Sequence, residues 1–490
     1  MRYIILCLSF LFSLVFIYSC HDVVGVLGND PDVVTIMCPD TEPGEIFRVN
    51  GVDYESVDND LLRLRVSENS DMTTVCTSLV TDMSELFAGE IKRFYGSDPP
   101  VLNDFNEPIG NWDVSNVTNM SYMFYNSTFN QPIGKWDVSS VEDMSLMFSG
   151  SPFNQNINDW DVSSVTNMYK MFYHRIYMST RYRDNGPFNK PIGDWDVSSV
   201  TNMKLMFSNT QFNQDISDWD VSSVTDMSEM FRKGSFNQPI GDWDVSSVTD
   251  MSQMFREVSF NQPIGGWDVS NVKNMRLMFF QSSFNQPIGD WDVSSVEDMF
   301  YMFAETPFNQ PIGDWDVSSV KDMNLMFHRS SFNQPISDWD VGSVKNMYYM
   351  FFGTPFNQPI GDWDVSSVTN MESMFSNSQF NQPIGNWDVS SVTEMFGMFR
   401  KSQFNQPIGD WDVSSVTSMI GMFAETPFNQ PIGNWDVSSV TNMMEMFFKS
   451  SFNQNISGWC VSNLIGTPTN FSTGSPLSDR NRPIWGTCPG

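Results

Sequence analysis

Tryptophan recurs every 24 residues through most of this chain, and that spacing limits the fold more than any other feature. Fifteen tryptophans fall at positions 112, 136, 160, 195, 219, 243, 267, 291, 315, 339, 363, 387, 411, 435 and 459, and only the step from Trp160 to Trp195 is longer. Around each runs one phrase, Phe-Asn-Gln-Pro-Ile-Gly-Asp-Trp-Asp-Val-Ser-Ser-Val-Thr-Asn-Met-x-x-Met-Phe, followed by a short variable turn. A fixed period of this size marks a chain whose units each bury their apolar face only against their neighbours. The expectation is an α/β repeat solenoid of about 15 coils, not the three domains that a length of 490 residues would otherwise suggest.

One unit, Phe236 to Phe255, serves for all. Phe236 and Ile240 share a face at strand spacing, and Pro239, with no N–H, keeps any parallel ladder there short. Met251, Met254 and Phe255 stand at i, i+3 and i+4, which predicts a helical turn capped by Thr249 or Asp250. Each coil is therefore expected to hold one short parallel strand, a Trp-Asp corner and one short helical turn. A Met-x-x-Met pair is also a soft copper-ligand pattern, but at helical spacing beside phenylalanine it reads as core.

Composition narrows the function. Hydrophobic residues make up 40% of the chain, enough for a continuous core, while 58 acidic against 26 basic residues leave a net charge of −32. Such a body repels phosphate, so nucleic acid and anionic membrane surfaces are poor partners. Only three histidines occur, His21, His174 and His328, and the last two lie on different coils. No phosphate-cradling glycine loop, nucleophile elbow or zinc motif is present. The expectation is a protein that is not an enzyme.

The chain opens with Met1-Arg2, an apolar run from Tyr3 to Tyr18, then Ser19-Cys20. This reads as a secretory signal over 1–19, and Ile17-Tyr18-Ser19-Cys20 looks like a bacterial lipobox that would place a lipid on Cys20. Four further cysteines flank the repeats, and the expected pairs are Cys38–Cys76 and Cys460–Cys488, formed in an oxidising compartment. The organisation that follows is an N-terminal segment and cap over 20–75, a repeat body over 76–459 with an insertion at 173–187, and a C-terminal cap over 460–490. Val49-Asn50-Gly51-Val52 predicts a hairpin within the first cap.

The repeat phrase resembles that of the BspA family of leucine-rich-repeat surface proteins. Val75-Cys76-Thr77-Ser78-Leu79-Val80-Thr81-Asp82-Met83 resembles that family's opening module, and Trp459-Cys460-Val461-Ser462-Asn463 with Trp485-Gly486-Thr487-Cys488-Pro489 its closing module. The likeness spans about residues 45–490. It implies a leucine-rich-repeat-like solenoid on a secreted or cell-surface protein, adhesion or host and matrix binding, and no catalytic residues; the 173–187 insertion departs from it.

Stacking turns each position of the phrase into a row. Asp follows Trp in most coils and precedes it in many, including Asp218 and Asp220, Asp242 and Asp244, and Asp290 and Asp292. Unit charges about 4.8 Å apart repel by about 0.9 kcal/mol even at water's dielectric. Two devices could offset this: each Asp caps the following Val-Ser-Ser turn through backbone N–H groups, or the row holds Ca²⁺. The Asn after Phe, Asn130 to Asn453, is expected to form a hydrogen-bonded ladder. The coils differ between the methionines and just after Phe, where Tyr301, Tyr348 and Tyr349 and the basic Arg232-Lys233, Arg256, His328-Arg329, Arg400-Lys401 and Lys449 stand. Aromatic and Arg side chains are what interfaces use. The insertion adds Arg175, Tyr177, Arg181, Tyr182 and Arg183, and an inserted loop often lies at a binding face. The expected function is recognition of a protein or glycan partner at a cell surface or matrix, the alternative a structural coat whose acidic rows bind Ca²⁺ or a basic polymer.

Overall fold

Backbone hydrogen bonds tie each 24-residue coil to the next along one continuous segment. In the computed structural model, which describes residues 34–90, 100–175 and 185–489, the amides of Met251, Gln253, Phe255 and Glu257 donate to the carbonyls of Asn274, Arg276, Met278 and Phe280 in the following coil, at 2.8 to 3.0 Å. The amides between them close turns inside their own coil: Met254 donates to Met251 at 3.2 Å and Arg256 to Gln253 at 3.1 Å. Thr249 donates the other way, to Thr225 of the preceding coil. Isolated parallel bridges mark the same line, from Asp82–Asn119 to Ser418–Asn442.

This alternation needs a left-handed residue at the second position between the methionines and another four residues later. Gln253 and Glu257 have φ of 57° and 55°, and Tyr301 and Glu305 have 57° and 55°. The expected helical turn is therefore corrected. A helix over Met251–Phe255 would aim its N–H groups along its own axis and leave the neighbouring carbonyls unmet; the chain instead accepts two left-handed residues per coil, at about 1–2 kcal/mol each for a side chain with Cβ.

The expected strand at Phe236–Ile240 is corrected as well. Pro239 has no N–H to give, and a side chain replaces the backbone ladder. Asn237 N–H donates to Asn213 Oδ1 at 2.8 Å, and Gln262 Nε2 donates to the Asn237 carbonyl at 3.0 Å. The same pair of bonds recurs down to Asn453 and Gln454, so the expected asparagine ladder is present.

The core is three aromatic columns interleaved with methionine and valine. Trp219 and Trp243 lie with centroids 6.5 Å apart and planes within 5°, an offset stack. Phe231 and Phe236 meet at 3.9 Å, and each also stacks on its counterpart one coil on. The Ile240 carbonyl accepts two bonds, from its own coil's Trp243 N–H and from Trp267 Nε1 of the next, at 3.3 and 3.0 Å. Met251 and Met254 are fully buried, which places the methionine stripe in the core. The insertion does not interrupt the columns: Trp160 and Trp195 stack at 6.4 Å, and Trp195 Nε1 reaches the Ile157 carbonyl.

Both ends are closed by modules that continue the ladder. At the N-terminal end β1 (Ile46–Val49) and β2 (Val52–Ser56) form the expected antiparallel hairpin, with Asn50 and Gly51 both at positive φ. The helix α1 (Asn59–Ser67) follows, its first turn capped by Asp58, which accepts the Leu61 N–H. The short strand β3 (Val75–Cys76) lies parallel to β2, and Cys38 is bonded to Cys76. At the far end the carbonyls of Thr469, Phe471 and Thr473 accept the amides of Glu445, Phe447 and Lys449. Asn481 Nδ2 caps the asparagine ladder at the Asn453 carbonyl, Phe471 meets Phe447 edge-on at 90°, and Cys460 is bonded to Cys488. Residues 1–19 and Cys20 lie outside the described residues.

Four substitutions at three positions test this frame. Asn285→Ala removes the side-chain acceptor of the Asn309 N–H and one of the two acceptors of Gln310 Nε2, which keeps the Asn285 carbonyl, so the thermal midpoint should fall, at a cost of about 1–3 kcal/mol; Asn285→Asp keeps the acceptor and should lose less. Gly397 has φ of 58°, and a Cβ there would meet Ser373 Oγ at 3.1 Å. Gly397→Val should destabilise by about 2 kcal/mol in chemical denaturation, whereas Gln281→Gly, at φ of 54° on the surface, should be neutral or stabilising.

Candidate recognition face

The turn segment that carries the backbone ladder also carries the sequence variation. Each coil offers two residues between its methionines and two after its phenylalanine. Alternate amides point along the stack, and the methionines and first phenylalanine point inward, so these four side chains stand outside the columns, some partly exposed and others, such as Leu325 and Ala304, buried. They are the positions where a coil can change without altering the columns.

Over four successive coils these positions gather into one aromatic patch. Phe300 and Tyr301 have centroids 4.5 Å apart, and Phe280 meets Tyr301 edge-on at 5.3 Å. Tyr348 and Tyr349 are 4.3 Å apart. His328 lies between the two groups, 6.3 Å from Tyr301, 6.0 Å from Tyr349 and stacked on Phe352 at 5.0 Å. Every one of these rings is partly exposed. Guanidinium groups edge the patch: Arg276 lies 3.7 Å over Phe300, Arg256 5.3 Å over Phe280 and Arg329 5.7 Å over Phe352. Burial raises the Tyr301 and Tyr348 phenols, which therefore remain hydrogen-bond donors at neutral pH. Burial, aided by Arg329 and opposed by Glu305, lowers His328 to about 4, so its ring is neutral.

Tyr301, Tyr348 and Tyr349 are thus brought together. Phe280, Phe352 and Asn324 join them without having been singled out by sequence. The signal of the two rings is positional: Phe280 follows the repeated Phe of the phrase one coil before Tyr301, and Phe352 follows it in the same coil as Tyr349, a relation visible only once the coil register is known.

The basic residues of the same face divide. Arg232 pairs with Glu229, Lys233 with Glu257, Arg400 with Glu445 and Lys401 with Glu425. The last three span coils and act as staples between them. Of the insertion, Arg175 is described and partly buried; Tyr177, Arg181, Tyr182 and Arg183 lie outside the described residues.

The aspartates after tryptophan cap their own turns. Asp220, Asp244 and Asp292 accept the N–H of Ser222, Ser246 and Ser294 at 3.0 to 3.1 Å. Among the described residues no group of three or more His, Cys, Asp or Glu is placed to hold a metal ion. Of the pairs Asp218 and Asp220, Asp242 and Asp244, and Asp290 and Asp292, the carboxylate after tryptophan thus already serves the backbone through one oxygen.

Acidification separates two contributions. Bonds from the serine hydroxyl and N–H hold Asp244, Asp316, Asp364 and Asp412 below their ordinary value of 3.8. A group held low in the folded state stabilises above its unfolded value and loses that contribution as pH falls through the folded one. The aspartate rows should therefore weaken the stack only below about pH 4. His328, lowered from 6.5 to about 4, acts earlier, between those two values. The wild-type melting midpoint should decline from pH 6.5 toward 4 and again below it, and His328→Phe should flatten the upper part alone.

No curated protein matches the chain. Family repeats match at residues 59–177, 176–287, 233–331, 256–354, 306–402 and 377–481, which together run unbroken through the coils and into both end modules. The chain belongs to the family described as Mycoplasma protein of unknown function, DUF285.

Proposed function

We propose that this chain is an exported, surface-displayed recognition protein with no catalytic role, binding a protein or glycan partner through the variable face of its turns. One observation carries the reading: seven partly exposed rings from four successive coils meet at Phe280–Phe352 on the face where coils are free to differ. Aromatic side chains in such a cluster cost little entropy to hold and supply much of the energy of contact. A purely structural coat gains nothing from leaving them in water.

Two finer readings go with it. The stack is a leucine-rich-repeat-like solenoid of the BspA type, supported by the equivalence of its coils and by its disulfide-bonded opening and closing modules. The mature protein is held at the outer surface by a lipid on Cys20, supported by Ile17-Tyr18-Ser19-Cys20 after an apolar run; among the described residues no helix is long and apolar enough to cross a membrane.

Replacing Tyr301, Tyr348 and Tyr349 together by Ala should abolish binding to whichever members of a glycan array and a panel of immobilised matrix proteins the wild type retains, with the melting midpoint nearly unchanged. Retention of all binding by that variant discards the patch as the recognition surface. Mass spectrometry of the mature N-terminus should find an acylated Cys20; a free N-terminus discards the anchor.

A further inference from the structure

The aromatic patch has a period of its own. Phe300 and Tyr301 lie between the methionines of one coil and Tyr348 and Tyr349 between those of the next coil but one, while the coil between carries Asn324 and Leu325. Ladder bonds fix this order, since Tyr301 N–H donates to the Asn324 carbonyl at 3.0 Å and Leu325 N–H to the Tyr348 carbonyl at 2.9 Å. At a rise of about 4.8 Å per hydrogen-bonded coil, the two ring pairs are about 9.6 Å apart along the stack. That is close to the length of a β-1,4-linked disaccharide.

Polar groups stand between the ring pairs. The Oδ1 of Asn324 and the Nδ1 of His328 are buried and have no hydrogen-bond partner among the described residues. Buried polar atoms are rarely left so, and a hydroxyl-bearing ligand, directly or through a water it carries, can satisfy them once the neighbouring rings turn aside. Charge selects further. Arg276 is matched by Asp298 at 3.6 Å, and Arg329 and Glu305 flank a neutral His328. The patch is balanced within a body of net charge −32, so acidic polymers are repelled and an uncharged ligand meets no opposing field.

We infer that this patch binds a linear, uncharged β-1,4-linked glycan lying along the stack, with alternate sugar rings against Phe300–Tyr301 and Tyr348–Tyr349 and the intervening hydroxyls at Asn324 and His328. Pyranose rings present apolar C–H faces that suit aromatic stacking, and a chain of alternating faces repeats every second residue. The inference rests on the recognition reading above and assigns its ligand.

The test uses the full exported chain and two neutral hexasaccharides, one of β-1,4-linked glucose and one of β-1,4-linked N-acetylglucosamine, with the corresponding disaccharides and a sulfated oligosaccharide as comparators in calorimetric titration. At least one hexasaccharide should bind, its disaccharide at least about tenfold more weakly, because only the longer chain spans both ring pairs. Tyr301→Ala and Tyr349→Ala should each weaken the hexasaccharide about tenfold or more, and Asn324→Leu less. On wild-type protein, the hexasaccharide should protect Tyr301, Tyr348 and Tyr349 from nitration mapped by mass spectrometry, a readout that needs no variant to fold. Equal affinity for disaccharide and hexasaccharide, preference for the sulfated chain, or absence of protection overturns the inference. If neither hexasaccharide binds while the triple tyrosine variant still loses an immobilised matrix protein, the glycan assignment falls and the recognition reading stands; if the triple variant loses nothing, both fall.

Discussion

Every other feature of this molecule depends on one backbone device. Alternate amides of the Met-x-x-Met-Phe segment point along the stack to the next coil, and the amides between them close turns within their own coil. A strand would send every second N–H to the neighbour on one side and the rest to the other; a helix would send all of them along itself. The observed segment does neither, and left-handed residues at two places per coil are what make it possible. Their strain is local, about 1–2 kcal/mol each, while the ladder and the burial it permits repeat from coil to coil. The fold is stable because the same bargain is struck many times in register, as expected when stability is a sum of nearest-neighbour terms.

The invariant letters of the phrase follow from where the remaining polar groups must go. Pro239 deletes an N–H that the strand-like line could not use, and Asn213 and Gln262 bridge the gap that it leaves. The Ile240 carbonyl, facing the core, needs two donors and finds them in the amide of one tryptophan and the indole of the next. Asp244 closes the corner by accepting from Ser246. The polar letters that a coil repeats thus answer buried or half-buried backbone groups, and the apolar ones fill the core.

The stacking of coils, the disulfide pairs, the hairpin at Asn50-Gly51, the asparagine ladder and the capping aspartates were all legible in the sequence, because each is a short-range rule repeated or a turn signal with a fixed chemistry. The expected strand gives way because Pro239 has no N–H to give, and the expected helical turn for a separate reason. Met251, Met254 and Phe255 at i, i+3 and i+4 face the same way in a helix, but two tight turns with a left-handed residue between them reach the same result. The discriminating signal is what is missing: at the left-handed positions among the described residues stand Tyr, Leu, Glu, Gln, Lys, Arg, Asn, Ser and Gly, and never Val, Ile or Thr, though these are frequent elsewhere in the chain. β-Branched side chains are the ones that tolerate positive φ least. The patch was legible only in part. Tyr301, Tyr348 and Tyr349 stood out as variable aromatics, but joining them to Phe280, His328 and Phe352 requires knowing which residues of neighbouring coils share a face.

A conformation that excludes only β-branched residues and proline leaves a wide choice of side chains for recognition. The left-handed positions accept aromatic rings, amides, acids and bases alike, because each residue's backbone is held by the ladder and not by its own side chain. Exchange at these positions therefore changes the surface without changing the columns beneath, and neighbouring coils can be altered independently. The coils near Lys233 and Arg400 have used that freedom for charge pairs that staple coil to coil, while those from Phe280 to Phe352 have used it to hold rings at the surface. The same backbone constraint that fixes the stack thus separates its stability from its surface chemistry, and that separation is what allows one stretch of otherwise uniform coils to differ from the rest.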